Sequence, residues 1–216
     1  MTDAADYDAW YATPRGRWIG ETEYRLAARA LDGQTGDSLL DVGCGTGWFT
    51  RHAAADGLSA TGLDPNPAWL DFARTRSNQS VHWVEGDARD LPFVDDAFDH
   101  VLSIAALCFI DEERQAVAEC VRVARRRVAI GWLNRHSLLY REKGRQGGSG
   151  AYRDARWHSA AEVRALFAGL QIRDLQLRSA VFLPSGSGFA RGAEKLVPGR
   201  LPWGALLLAS ASKIAD

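Results

Sequence analysis

The run Leu39-Leu40-Asp41-Val42-Gly43-Cys44-Gly45-Thr46-Gly47 constrains this chain more than any other segment. A short apolar stretch with strand character passes straight into glycines at alternate positions, and a helical pattern from about Thr46 to Ala55 follows. Strand, glycine turn and helix in that order form the opening unit of a parallel sheet covered by helices. Glycine at such a turn permits dihedrals that a Cβ forbids and lets the main chain lie close against a ligand. A tight strand-to-helix turn needs glycine in any case, so the cluster alone is weak evidence of binding. Its spacing is G-x-G-x-G, with the third glycine one residue early for the G-x-G-x-x-G of a dinucleotide fold.

Asp64 strengthens the reading. It lies 21 residues beyond Gly43 and directly after a second apolar run, Leu58 to Leu63. A carboxylate there sits at the carboxyl edge of the neighbouring strand, where it can accept hydrogen bonds from both ribose hydroxyls of a nucleoside. The competing role is to cap the helix that Asn66 and Pro67 open; the loop and the acid at nucleoside-binding distance favour the ribose. Asp87, in Glu85-Gly86-Asp87-Ala88-Arg89-Asp90-Leu91-Pro92-Phe93, is placed to accept from an adenine amino group, with the Ala88 amide opposite a ring nitrogen. Alone it also reads as a polar turn residue.

The alternation continues along the chain. Val81 to Glu85, Phe98 to Ile104 and Val128 to Leu133 read as strands. Helices run from Pro67 to about Arg76 and onward from an Asp111 N-cap, the latter with Val117, Cys120, Val121 and Ala124 on one stripe. Arg125-Arg126-Arg127 reads as a solvated helix end favoured by the helix dipole. Gly144 to Gly150 reads as a flexible loop or lid. Ser159 and Glu162 form a capping box ahead of Val163, Leu166, Phe167 and Leu170. Gln171 to Leu183 reads as a long strand and Ala205 to Ser212 as the last one, with Pro184, Pro198 and Pro202 punctuating the interval.

The length of 216 residues suits one domain, and 26 basic against 27 acidic residues leave a net charge of -1. Nothing global therefore favours nucleic acid, whose phosphates reward a basic surface. Cys44, Cys108 and Cys120 lack metal-ligand spacing and read as reduced, buried thiols. The opening Met1-Thr2-Asp3-Ala4-Ala5-Asp6 is acidic where a signal peptide needs positive charge, and no long apolar run spans a membrane. These features point to a soluble, cytoplasmic protein with no metal site.

The segments LLDVGCGTG, GLDPNPAWLDFAR, EGDARDLPFVDDAFDHVLS and AVAECVRVARRRVAIG, in this order, resemble the class I S-adenosylmethionine-dependent methyltransferases. The likeness is greatest to the small type 11 group, which includes ubiquinone/menaquinone-biosynthesis-like members. It covers roughly residues 36 to 133, and more loosely YDAWYATPRG and AYRDARWHSAAEVRALF. The resemblance implies an α/β fold, a three-layer Rossmann-like sandwich whose seven-stranded, mostly parallel sheet takes its last strand antiparallel. It implies one domain over 1–216, with a helical lid at 1–32, a cofactor core at 36–133 and acceptor-side and closing strands at 134–216. By similarity Gly43, Gly45 and Gly47, with Cys44 and Thr46, wrap the methionine portion of S-adenosylmethionine. Asp41 places its amino group, Asp64 with Pro65 holds the ribose, Asp87 and Ala88 hold the adenine, and Ser103 and Ile104 line the sulfonium side. The family's Pro-Gly turn before the fifth strand is replaced here by Ala124 and the arginine run.

A sulfonium methyl is already activated, so alignment and desolvation can supply much of the rate, and a base is needed only for a protonated acceptor. His136, Tyr140 and His158 are candidates for that base, each equally readable as a packing or surface residue, and no catalytic residue is assigned. Tyr7, Trp10, Tyr11 and Trp18 crowd the first 18 residues. They read either as a lid whose aromatic faces meet the cation, with Tyr7 and Tyr11 against the cofactor, or as a helix packed on the sheet. Trp132, Trp157 and Trp203 read as core or pocket walls, and His52, His82 and His100 as structural or exposed.

Neither an Asn/Asp-Pro-Pro-aromatic motif after the fourth strand nor a Pro-Cys pair occurs. That disfavours base or glutamine amines and cytosine C5, and leaves a small-molecule acceptor. A non-catalytic nucleoside-binding relative and an NAD-dependent oxidoreductase are the alternatives.

Overall fold

The computed structural model describes residues 3–77, 81–148 and 150–214. Two helices, α1 (Ala4–Ala12) and α2 (Pro14–Leu31), precede the sheet. Thr13 divides them: its hydroxyl accepts from the Gly16 amide at 3.0 Å, and Pro14 fits the first turn of α2 because a proline there forfeits no hydrogen bond. The alternation follows as β1 (Ser38–Val42), α3 (Trp48–Ala55), β2 (Ser59–Asp64), α4 (Pro67–Arg76), β3 (His82–Glu85), β4 (Phe98–Ile104), α5 (Glu113–Val123) and β5 (Ala124–Leu133). The chain closes with α6 (Ala160–Leu166), β6 (Ile172–Ala180), α7 (Gly188–Leu196) and β7 (Leu206–Lys213).

The seven strands lie in the order β3-β2-β1-β4-β5-β7-β6. From β3 to β5 every pairing is parallel; β7 enters antiparallel between β5 and β6, from Arg127↔Ser212 to Leu133↔Leu206 on one side and Ile172↔Lys213 to Ala180↔Leu206 on the other. This is the Rossmann-like sheet that the sequence implied. Because successive strand residues point to opposite faces, the strands supply two cores. Leu39, Ala60, Leu102, Ala129, Leu206 and Leu208 join Tyr24, Ala27 and Leu31 of α2 and Phe49 and Ala53 of α3. On the other face Leu40, Val42, Val101, Val128, Ile130 and Leu207 join Val117, Cys120 and Val121 of α5 and Val163 of α6.

Local expectations hold where chemistry is local. The Asn66 side chain accepts from the Ala68 amide at 3.1 Å to open α4, and Ser159 and Glu162 form the full capping box of α6. Elsewhere the structure corrects the sequence. Helix α5 begins at Glu113 without a side-chain cap, and Asp111 instead receives Arg156 Nη2 at 2.6 Å. Arg125-Arg126-Arg127 is not a solvated helix end but the opening of β5. Arg125 Nη2 donates to Asp99 Oδ1 at 2.5 Å, Arg126 Nη1 to Asp37 Oδ1 at 3.0 Å, and Arg127 Nη1 to the Ala30 carbonyl at 3.1 Å. Burial of Asp99 raises its pKa, but bonds from Ser38 and Arg125 outweigh this and hold it down at about 2.

Strand β6 ends at Ala180, not Leu183. Val181 turns out with φ 64°, and the Val181 and Phe182 amides donate to the Glu194 carboxylate at 2.7 and 2.9 Å. Glu194 belongs to α7, a helix in the interval read only as proline-punctuated; Ser187 caps it by accepting from Ala190 at 3.2 Å. Much of the glycine-rich stretch 144–150 is wound into single turns, Tyr140–Gly144 π-helical and Arg145–Gly147 3-10; Ser149, within that stretch, lies outside the described residues, as do Met1 and Thr2 of the lid. All three cysteines are free and buried, and Trp132 and Trp157 are core residues, but Trp203 is exposed.

Candidate active site

Because β3, β2, β1 and β4 are neighbours and parallel, their carboxyl ends share one edge, and most of the residues singled out above lie along it. The Gly43 and Cys44 amides both donate to the Leu63 carbonyl, at 2.7 and 3.0 Å, folding the glycine turn over the end of β2. Gly43, Gly45 and Gly47 have φ of 72°, 56° and 77°. Side chains there would be strained, and space is lacking as well: a Cβ on Gly43 would strike the Cβ of Ala106, and one on Gly47 the ring of Trp83. The turn is thus a bare backbone cradle, as close approach to a ligand requires.

Asp64 is locked at its rim. One carboxylate oxygen accepts the Gly45 amide at 2.8 Å and the other the Asn66 amide at 2.9 Å. Burial raises its pKa, and those two amides pull it back in part. The two roles weighed for Asp64 are therefore not exclusive: it orders the loop and the entry to α4, and each oxygen keeps acceptor capacity for a ligand. Asp41, fully buried one strand away, accepts the Thr50 hydroxyl at 2.6 Å. Burial pushes its carboxyl up to about 7, with the nearby Asp64 charge acting in the same direction. Buried Thr46 has a hydroxyl without a partner, an orphaned polar atom in the cradle itself.

The remaining residues separate. Ala88 is buried, whereas Asp87 is half-exposed, and Arg89 grips its carboxylate through Nε and Nη2 at 3.0 and 2.6 Å while reaching Glu112 at 2.7 Å. A ligand amine at Asp87 must share it with Arg89. Pro65 is exposed, and Ser103 and Ile104 are buried at the end of β4, the Ser103 hydroxyl without a partner. Of the three base candidates, His136 is exposed, Tyr140 packs on Trp157, and buried His158 lies with Nε2 2.8 Å from the Glu113 carboxylate, off the hydrogen-bonding line. That pairing accounts for His158 as a structural group.

Helix α1 lies over this edge, with its aromatics packed on those of α3 and α4. Tyr11 stacks on Trp48 with centroids 4.7 Å apart, and Tyr7 packs on Trp69 at 5.1 Å. A Cβ on Gly45 would itself come within 3.2 Å of Trp69, so Tyr7, Trp69 and the cradle are layered in turn. Asp8 fastens the helix: its carboxylate meets Arg51 of α3 at 3.0 Å and Arg76 of α4 at 3.5 Å, and Arg51 also donates to the Thr46 carbonyl at 2.5 Å. Neither Asp8 nor Glu23 stood out in the sequence. Glu23 lies on the buried stripe of α2 with Ile19, Gly20 and Ala27, which is the signal that could have found it.

A groove of about 1060 Å³ lies elsewhere, between α2, β6, α7 and β7, and contains neither the cradle nor Asp64. Its rim holds Arg25, Arg29, Arg127, Arg178, Arg191 and Lys195, a local gathering of cations that the net charge conceals. Among the described residues no helix is long and apolar enough to cross a membrane, and no group of side chains is arranged to hold a metal ion.

Residues 40–130 match the methyltransferase-domain family of type 11. An uncharacterized protein of Mycobacterium tuberculosis is 38% identical over 194 residues, 85% of this chain and 63% of that protein. A malonyl-[acyl-carrier protein] O-methyltransferase of Serratia marcescens is 37% identical over 122 residues, 56% of this chain and 45% of that enzyme. Among solved structures, an S-adenosylmethionine-dependent methyltransferase of Thermotoga maritima, described as a possible histamine N-methyltransferase, superposes with a TM-score of 0.74. It is 23% identical, and the match covers 97% of this chain and 95% of that one, a likeness of fold. Residues 40–130 are thus similar to the type 11 methyltransferase domain, and the fold of the chain as a whole is that of the solved S-adenosylmethionine-dependent methyltransferases. The chain spans 63% of the length of the mycobacterial relative.

Proposed function

We propose that this chain transfers the methyl group of S-adenosylmethionine to a small-molecule acceptor by in-line displacement. The observation that carries the reading is the joint made by the Asp64 carboxylate and the Gly45 amide, 2.8 Å apart beneath the α1 aromatics, which ties the glycine cradle to an acid with spare acceptor capacity. When bound, the cofactor supplies a methyl group made electrophilic by the attached sulfonium. The residues do the rest. Asp64, beside Pro65, accepts from the ribose hydroxyls; the backbone at Gly43, Cys44, Gly45 and Gly47, with the free Thr46 hydroxyl, receives the methionine portion. Asp41 balances its ammonium group, Asp87 and the Ala88 amide take the adenine edge, and Ser103 and Ile104 bound the reacting side.

Tyr7 and Tyr11 on α1 exclude water and present ring faces to positive charge, the role that makes residues 1–32 a lid over the 36–133 core. Residues 134–216 furnish the acceptor side and complete the single domain. The near-balanced charge of the chain favours a small metabolite of the cytoplasm over a nucleic acid as acceptor.

Calorimetry with S-adenosylhomocysteine and NADH tests the cofactor: the homocysteine nucleoside should bind and NADH should not. Methyl-labelled S-adenosylmethionine incubated with a metabolite extract should then yield a labelled small product. Binding without transfer to any extract component would favour a nucleoside sensor.

A further inference from the structure

Glu23 has neither a hydrogen bond nor an ion pair, an uncommon state for a half-buried carboxylate. It sits one helical turn beyond Gly20, whose own Cβ position is filled by the Tyr11 and Trp48 rings at 2.9 Å, so it continues the face of α2 that α1 covers. Three tyrosines feel its charge: Tyr7 and Tyr11 from α1, and Tyr152 from the turn Gly150–Tyr152. Tyr7 also feels Asp64, and its hydroxyl lies 3.5 Å from that of Tyr11. Tyr152 packs on Trp157 at 5.6 Å and is within reach of Arg15. Glu23 and Asp64 both act on Tyr7, and Glu23 also acts on Tyr11 and Tyr152, so one unpaired carboxylate stands among aromatic side chains near the proposed cofactor cleft.

We infer that Glu23 is the acceptor-binding carboxylate and proton acceptor of the reaction, and that the acceptor is a protic nitrogen or oxygen nucleophile, an amine or a hydroxyl. The inference rests on the methyl-transfer reading above. An N–H or O–H of the acceptor donates to the free Glu23 oxygens and so satisfies the group that the fold leaves open. As the heteroatom gives its lone pair to the methyl carbon, the carbon–sulfur pair departs with sulfur, and the heteroatom's proton passes to Glu23. The carboxylate becomes a neutral carboxyl, and charge and atoms balance. Burial, with the Glu194 charge adding to it, lifts Glu23 to about 8, so the ionised form that accepts the proton gains as the pH rises towards that value. The charged and titratable groups that act on Glu23 or feel it are Tyr7 and Tyr11 from α1, Glu194 from α7 and Tyr152. Cys108, beyond the end of β4, lies within reach of Tyr7 and Tyr152 and is itself raised to about 12 by burial.

The test uses the protein loaded with S-adenosylhomocysteine, with benzylamine as the amine probe, phenol as the hydroxyl probe and toluene as the aprotic control. Benzylamine or phenol should bind the loaded protein and perturb the infrared carboxyl band that Glu23→Gln removes. That variant should lose tenfold or more in affinity for the probe while binding S-adenosylhomocysteine within twofold of wild type. Which probe responds separates amine from hydroxyl. If neither binds, or both bind wild type and variant alike, or toluene binds as well as they do, Glu23 is not the acceptor group. If Glu23→Gln folds poorly, Glu23→Asp, which keeps a carboxyl but moves its band, makes the assignment instead, and a probe-induced shift of a band that Glu23→Asp leaves in place overturns the inference. Failure of S-adenosylhomocysteine to bind wild type would instead sink the cofactor reading.

Discussion

Replacing Asp64 with asparagine isolates one charge and one acceptor at the site. Each carboxylate oxygen already receives one backbone amide, Gly45 at 2.8 Å and Asn66 at 2.9 Å. With about four lone-pair sites on the group, one position on each oxygen remains, enough for two ribose hydroxyls and no more. A charge-assisted hydrogen bond contributes about 1.5–3 kcal/mol against about 0.5–1.5 for a neutral one. In Asp64→Asn one oxygen becomes an NH2 group facing a backbone donor, so one ribose bond is lost and the other becomes neutral. The affinity cost is roughly 2.5–4.5 kcal/mol, or roughly 70- to 2000-fold in Kd. The displaced backbone amide adds about 1–3 kcal/mol of lost stability. Calorimetry with S-adenosylhomocysteine reads the first and urea unfolding the second. A folded Asp64→Asn protein with Kd within twofold of wild type would remove Asp64 from the site, because the bond count leaves no way to hide the loss.

Asp41 gives a pH signature. Its folded pKa of about 7 lies above the ordinary aspartate value of 3.8, so between those limits the unfolded chain has released a proton that the native protein keeps. Stability falls as pH rises through that window, by about 1.4 kcal/mol per unit of retained shift, and is flat beyond it. Glu23 adds a fall of the same sign up to about 8, so the informative quantity is wild type minus Asp41→Asn in urea melts from pH 4 to 8; a difference independent of pH would refute the burial argument. Asp8→Asn should release α1, exposing residues 3–13 to protease at least several-fold faster and speeding loss of S-adenosylhomocysteine. With Arg76 largely exposed, the stability cost should be about 1–2 kcal/mol, and unchanged proteolysis would show that the helix is held by its aromatics alone.

The parts of the fold legible in the sequence are those with local causes. The glycine turn, the Asn66-Pro67 start of α4, the capping box at Ser159 and the apolar strands each carry their own signal within a few residues. The parts that were not legible depend on partners distant in the chain. Arg125 to Arg127 resemble a solvated helix end until Asp99 and Asp37, on or beside neighbouring strands, are seen to meet them. Helix α7 was obscured because Gly188 and Gly192 weaken its pattern; its Glu194 is engaged by amides at the end of β6, a contact no sequence window contains. At the site, the strand ends and their acids were readable, but the Asp87–Arg89 grip, the Asp8 fastening and the solitary state of Glu23 are products of tertiary packing. For Glu23 a clue did exist, an acid within an apolar helical stripe.

The antiparallel insertion of β7 has a consequence for how the protein is made. Strand β6 touches the rest of the sheet through β7 alone, so residues 172–180 have nowhere to dock until 206–213 have left the ribosome. The five parallel strands can gather during synthesis, but the hydrogen-bonding edge of β5 stays open until β7 arrives. A translation pause before the final strand has emerged would therefore prolong an aggregation-prone intermediate.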